Sequence, residues 1–125
     1  AITVWARAVL AKKPITVFGD GSMRRDFTHV DDIVRGVIAA IDHARPGYAV
    51  YNLGSGAPID LTGLVRALGR AAEIEPRTEH APVPRGDVDA TFADISLAER
   101  ALGWAPRVAL DQGLREVVQW VRENP

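Results

Sequence analysis

The distribution of apolar and polar positions divides the chain into alternating helical and extended segments. Apolar residues recur at helical spacing in several stretches, and short β-branched or aromatic runs between them indicate strands. This alternation is typical of an α/β protein. The predicted helices cover residues 1–12, 31–43, 61–72, 96–103 and 110–123, and the predicted strands cover 15–18, 48–53 and 77–81.

Local signals predict where several of these helices begin. Asp60 has the side chain expected of an N-cap before the helix at 61–72. Ser96 and Glu99 form a capping box, which places the next helix start at Ser96. In the last helix, Trp120 follows an apolar stripe, and we expect it to lie in the core.

The composition fits one globular domain or a part of one. The 125 residues are 47% hydrophobic and 25% charged, with a formal net charge of −1, so no overall field favours nucleic acid or an anionic membrane. No apolar run is long enough to span a bilayer. Cysteine is absent, which excludes disulfides and thiolate metal sites, and no histidine–acid cluster has metal-ligand spacing. We expect a cytoplasmic protein without a metal ion.

The candidate chemistry begins at the glycine-rich turn of residues 19–22, between Phe18 and the pair Arg24-Arg25. Two adjacent guanidiniums beside such a turn can present forked donors to an anion such as phosphate. The ordinary alternative is a solvated Arg–Asp pair that contributes little. Composition alone would make Phe18 a core residue of a half-buried strand.

Two further glycine-containing stretches could form loops of functional interest. Residues 82–87, Pro-Val-Pro-Arg-Gly-Asp, predict a stiff loop. Gly54-Ser-Gly56 follows a predicted strand, as in dinucleotide-binding loops, but position 59 is Ile where the third glycine is required. We therefore interpret Gly54-Ser-Gly56 as the end of a sheet strand.

Several spaced motifs together resemble the C-terminal half of extended short-chain dehydrogenase/reductases, specifically nucleotide-sugar epimerases. Within them the chain is most similar to UDP-glucuronate and UDP-glucose 4-epimerases. The resemblance implies the C-terminal part of a Rossmann-type doubly wound parallel sheet, with residues 31–56 at its end, plus a small mixed α/β substrate-binding lobe. The motifs are Phe18-Gly-Asp-Gly-Ser-Met-Arg-Arg-Asp-Phe-Thr-His-Val-Asp-Asp-Ile-Val, Tyr51-Asn-Leu-Gly-Ser-Gly, Gly86-Asp87, Ala93-Asp-Ile-Ser and Leu102-Gly-Trp-Ala-Pro.

The resemblance also implies roles for individual residues toward a UDP-sugar. Phe18 would pack against the uracil, and stacking of this kind contributes ~1–3 kcal/mol in single-strand binding proteins. Arg25 would contact the nucleotide, and Asp87 would position the ribose. The family's diphosphate arginine usually lies one residue before Arg85, so the charge comes either from Arg85 or from Arg24 or Arg25 alone.

The reaction implied by the resemblance is oxidation at sugar C4 by NAD, rotation of the 4-keto intermediate and return of hydride to the other face. The sequence contains neither a Tyr-x-x-x-Lys pair nor a glycine-rich NAD turn. We therefore expect no catalytic residue here, an NAD-binding N-terminal part absent from this sequence, and no activity of this chain alone. The complete enzyme is expected to be a homodimer.

Two alternatives stay open at the level of sequence. The first is the same part of a nucleotide-sugar dehydratase or reductase. The second is a self-standing, non-catalytic nucleotide-binding module. A predicted strand at 48–53 without neighbouring strands would expose an unpaired edge, so we expect the isolated chain to be poorly soluble or marginally folded.

Overall fold

The computed structural model describes residues 2–124, and within them it confirms the α/β class and the five predicted helices. The helices alternate with four short strands, and the helix ends lie within two residues of those predicted, apart from the predicted start at residue 1, which lies outside the described residues. In chain order the elements are α1 (Ile2–Leu10), β1 (Ile15–Phe18), β2 (Arg24–Arg25), α2 (Val30–Asp42), β3 (Ile59–Asp60), α3 (Leu61–Ala72), β4 (Thr78–Ala81), α4 (Ser96–Leu102) and α5 (Leu110–Glu123).

The strands form two small sheets. β1 and β4 pair in parallel, with Ile15 opposite Thr78, which confirms the predicted strand at 77–81 within one residue. β2 and β3 pair antiparallel, with Arg24 opposite Asp60. On its other side, β2 bridges Ala90, so the loop that follows β4 runs beside Arg25.

The main core lies where α1, α3 and α5 cover β1. The α3 stripe predicted from the sequence is buried, and Asp60 caps α3 as predicted, because its Oδ1 accepts a hydrogen bond from the Gly63 N–H at 2.5 Å. Burial of such aliphatic side chains contributes most of the stability of a domain of this size. The most deeply buried apolar side chains are Val9, Ile15, Leu64, Leu68, Leu114 and Val118.

A second, smaller cluster joins α2 to the segment after α4 through a buried aspartate. Asp32 is 1% exposed, and its carboxylate accepts the N–H groups of Arg107 and Val108, both at 3.0 Å, as well as a bond from Arg35. The Trp104 indole N–H donates to the Asp32 carbonyl at 2.9 Å. The buried carboxylate and carbonyl oxygens of Asp32 therefore all accept hydrogen bonds within the protein.

The predicted strand at 48–53 is wrong, since the structure has no strand over these residues. An alternating sequence shows only that a segment can be extended. A strand also needs a neighbour to pair its N–H and C=O groups, and no described residue provides one here. The apolar stripe of α2 is also exposed, with Val34, Val37, Ile38 and Ile41 48–68% accessible.

Two helix details also differ from expectation. The helix α4 begins without a side-chain cap from Ser96, and instead Asp94 Oδ1 accepts the Ser96 N–H at 3.0 Å. Trp120 is 51% exposed rather than buried, and its ring lies 6.0 Å from the Arg7 guanidinium carbon. Residues two apart face different sides of a helix, so Trp120 cannot share the buried stripe of Val118.

Candidate functional site

A cavity of about 490 Å³ lies between α1, the end of β1, β2 and the loop after β4. Three of the four predicted site residues line it: Phe18, Arg25 and Asp87. The lining also includes the apolar side chains of Trp5 and Phe27, alongside the charged groups of Arg25, Asp26 and Asp87. Such a mixture of aromatic and charged side chains suits a ligand with a flat apolar part and polar groups.

Phe18 reaches this cavity because of strand alternation. Ile15 and Val17 are buried beneath β1, and successive side chains on a strand point to opposite faces. Phe18 therefore points away from the core and is 37% exposed at the cavity. A partly exposed aromatic ring at a cavity can stack on a planar ligand, which is the role predicted for it.

Arg25 and Asp87 are brought together although they are 62 residues apart. The Arg25 Nη2 lies 2.5 Å from Asp87 Oδ1, and Arg25 Nη1 donates to the Arg24 carbonyl at 2.8 Å. A guanidinium has five N–H donors, so these two bonds leave others for a ligand. The sequence predicted both residues at one site but gave no sign of their ion pair.

The contact depends on backbone pairing beside β2. The Arg24 N–H donates to the Asp89 carbonyl at 2.8 Å, and the Thr91 N–H donates to the Arg24 carbonyl at 3.1 Å. These bonds hold the segment after Asp87 along β2 and place Thr91 at the cavity wall.

Arg85, the fourth predicted residue, is not among those that line the cavity. It lies on the exposed part of the loop, two residues before Asp87 and next to Gly86, whose φ of 84° marks a sharp turn. Arg24, the alternative source of charge, donates to the Pro58 carbonyl at 2.9 Å and is also absent from the lining.

Sequence reasoning missed Asp26. This residue lines the same cavity and a neighbouring polar cavity of about 380 Å³. Burial opposes its ionisation, but hydrogen bonds from Ser55 and Ala93 outweigh burial and hold the pKa of Asp26 below its ordinary value. The sequence of the Gly54-Ser-Gly56 turn, interpreted above as the end of a strand, does not show that Asp26 is its partner.

The Gly54-Ser-Gly56 turn does not fit the pyrophosphate of NAD. The N–H groups of Ser55 and Gly56 already donate to Asp26, so this turn offers no cradle to a pyrophosphate. Within residues 2–124, no three acidic or histidine side chains are close enough to hold a metal ion. None of the helices described there has the length and apolar character needed to cross a membrane.

Comparison with known proteins identifies what the chain resembles. The model of the NAD dependent epimerase/dehydratase family matches residues 1–54. A UDP-glucuronate 4-epimerase of Thermodesulfobacterium geofontis is 39% identical over 93% of this chain and 36% of its own length. UDP-glucuronate 4-epimerase 5 of Arabidopsis thaliana is 37% identical over 93% of this chain and 30% of its own length. The chain thus spans less than half the length of these relatives.

Solved structures agree with this similarity. MoeE5 in complex with UDP-glucuronic acid and NAD has a TM-score of 0.92 and 33% identity, covering 99% of this chain and 42% of that one. A UDP-glucuronic acid 4-epimerase from Bacillus cereus, also with UDP-glucuronic acid and NAD, has a TM-score of 0.94 and 28% identity, covering 100% of this chain and 40% of that one.

Proposed function

Because this chain belongs to the NAD-dependent epimerase/dehydratase family, we propose that it is the UDP-sugar-binding portion of a sugar 4-epimerase. Relatives similar to it include UDP-glucuronate 4-epimerases, and solved relatives hold UDP-sugars. The observation that carries the proposal is the cavity that gathers Phe18, Arg25 and Asp87 from separate segments.

Each of these side chains has a matching part of a UDP-sugar. The uracil would lie against Phe18 and the apolar side chains of the lining, where burial of the ring and stacking both favour binding. Arg25 would donate charge-assisted hydrogen bonds to the nucleotide's phosphate oxygens. Asp87 would accept hydrogen bonds from the ribose hydroxyls.

The charge balance of the cavity calls for a further cation if a diphosphate binds there, and Arg85 is the candidate. Arg25 is the one cation among its lining residues, whereas Asp26 and Asp87 are both anions. A diphosphate would therefore need a further positive charge. Arg85 stands two residues from Asp87 on an exposed loop, and we propose that this loop rearranges on binding so that Arg85 supplies the charge.

The cofactor belongs to another part of the enzyme in this proposal. The N–H groups of the Gly54-Ser-Gly56 turn already bind Asp26, so we infer that NAD binds a part that this sequence does not include. Epimerisation through a 4-keto sugar is included in the proposed function, and this chain would hold the UDP moiety while that chemistry takes place. The homodimer expected of the complete enzyme is a prediction that light scattering would check.

The test is conversion of UDP-glucuronic acid into UDP-galacturonic acid by the intact protein, meaning this chain together with the proposed NAD-binding part, supplied with NAD. Nuclear magnetic resonance of the sugar anomeric protons distinguishes the two C4 epimers. Conversion of UDP-glucose into a 4-keto-6-deoxy sugar would instead indicate a dehydratase. Binding of UDP without any conversion of UDP-sugars would favour the non-catalytic module.

A further inference from the structure

The Gly54-Ser-Gly56 turn surrounds a carboxylate of the chain itself. Asp26 Oδ1 accepts the Ser55 N–H at 2.9 Å and the Ser55 hydroxyl at 2.5 Å. Asp26 Oδ2 accepts the Gly56 N–H at 3.3 Å and the Ala93 N–H at 3.2 Å. Successive N–H groups of a turn form an anion-binding concavity, and here Asp26 is the anion.

Gly54 makes this arrangement possible through close approach. A Cβ at position 54 would lie 2.4 Å from the Ala93 Cβ and 2.9 Å from Asp26 Oδ2. Neither distance is compatible with van der Waals contact, so any side chain at position 54 would push the turn away from Asp26 and Ala93. The turn sequence is thus explained by an internal carboxylate rather than by a dinucleotide.

Two of the three segments that Asp26 ties together continue directly into the candidate site. Arg25 is the preceding residue, and Thr91, two residues before Ala93, forms part of the same cavity wall. The Asp26 N–H also lies 3.4 Å from the Thr91 hydroxyl, which accepts its hydrogen bond. One carboxylate therefore links β2, the 54–56 turn and the segment 91–93.

We propose that Asp26 is a positioning residue for nucleotide binding. Its carboxylate binds the N–H groups of the Gly54-Ser-Gly56 turn and thereby fixes the positions of Arg25 and Thr91 in the cavity. The inference rests on the proposed function, because it concerns the same UDP-binding cavity. Asp26 acts through Arg25 and Thr91 and does not itself need to touch the diphosphate.

Asp32 provides a matched control. It too is a carboxylate that accepts N–H groups from a distant segment, at Arg107 and Val108. It does not line the candidate cavity. Asp26→Asn and Asp32→Asn each replace a doubly accepting carboxylate by an amide whose NH₂ group faces N–H donors. Both variants should melt at lower temperature, and only Asp26→Asn should disturb the site.

In the first experiment, UDP is titrated into the intact protein and its dissociation constant is measured by calorimetry. In the second, nuclear magnetic resonance of the ¹⁵N-arginine-labelled protein without ligand records the Arg25 Nε–H signal. We expect Asp26→Asn to raise the UDP dissociation constant by about tenfold or more, as loss of a charge-assisted contact would. Asp32→Asn should leave the UDP dissociation constant within about twofold of wild type. The Arg25 Nε–H resonance should move in Asp26→Asn and keep its position in Asp32→Asn.

Ser55→Ala keeps the experiment informative if Asp26→Asn does not fold, because it removes only the hydroxyl donor. It should weaken UDP binding less than Asp26→Asn and move the Arg25 resonance in the same direction. Equal effects of the Asp26 and Asp32 variants, or wild-type affinity in the Asp26 or Ser55 variant, would overturn the positioning role. Failure of the wild-type protein to bind UDP would overturn the proposed function instead, and the Arg25 resonance would then decide the role of Asp26.

Discussion

Arg25 and Arg24 are adjacent in β2 but have different surroundings, which allows one arginine to serve as the control for the other. Arg25 faces the cavity beside Asp87, whereas Arg24 donates to the Pro58 carbonyl. We expect Arg25→Ala to weaken UDP binding by ~1.5–3 kcal/mol, the contribution of a hydrogen bond to a charged group. Calorimetry on the intact protein should show a much smaller change for Arg24→Ala. Equal losses in the two variants would contradict the assignment of the nucleotide contact to Arg25.

Asp32 makes the stability of the fold depend on pH. Burial raises its pKa, but the N–H groups of Val108 and Arg107 and the Arg35 guanidinium outweigh burial and hold that pKa below its ordinary value of 3.8. The ionised carboxylate therefore stabilises the folded state above pH 3.8, and this contribution is lost as pH falls through the folded-state pKa.

Asp32→Asn should lower the free energy of unfolding by about 1–3 kcal/mol at neutral pH, because it leaves buried N–H groups poorly satisfied. The difference from wild type should shrink below pH 3.8. Urea unfolding of the intact protein at pH 7 and in acid measures both values. A difference that stays constant with pH would show that the charge of Asp32 does not stabilise the fold.

Helices were predictable here because their signals are local. The stripe and the Asp60 cap of α3 lie within one stretch of sequence, and the structure confirms both. The strand expected at 48–53 depends on a partner that its own residues do not specify. Trp120 shows a further limit, since an apolar residue beside a stripe is exposed when the helix turns it away.

Because the apolar stripe of α2 is exposed, a charged substitution in it should benefit the isolated chain and destabilise the intact protein. We propose that the rest of the intact protein covers this face. Ile38 lies on the face, and 52% of it is exposed. Ile38→Asp should then raise the solubility of the 125-residue chain and lower the melting temperature of the intact protein. Val88→Asp is the control, since Val88 is 51% exposed on a loop. An unchanged melting temperature for intact Ile38→Asp would contradict a covered face.

The candidate site is assembled across the whole chain, and this explains which parts of it the sequence could indicate. Phe18, Arg25 and Asp87 were predicted through family motifs, because each motif is local. Their convergence, the ion pair across 62 residues and the link through Asp26 follow from β2 pairing with distant segments. A single aspartate between Arg25 and Phe27 carries no pattern that would show its partners in advance.

The two clusters of the molecule should differ in stability when this chain is studied alone. The main core closes α1, α3 and α5 over β1 within the described residues, whereas α2 buries only Asp32 and Gly36 of its thirteen residues. Amide exchange rates report such local differences, because helices with few buried contacts open more readily. We therefore expect slow exchange in α3 and α5 and fast exchange in α2 of the isolated chain.

Hydrogen exchange followed by mass spectrometry can compare the isolated chain with the intact protein. The α5 peptides are the internal control, because α5 and α2 have similar lengths of 14 and 13 residues. If the remainder of an epimerase packs on α2, protection of α2 should rise strongly in the intact protein while that of α5 changes little. Equal protection of α2 in both forms would mean that α2 needs no further partner. Dependence of that protection on protein concentration would then show whether a second copy of the chain supplies the cover.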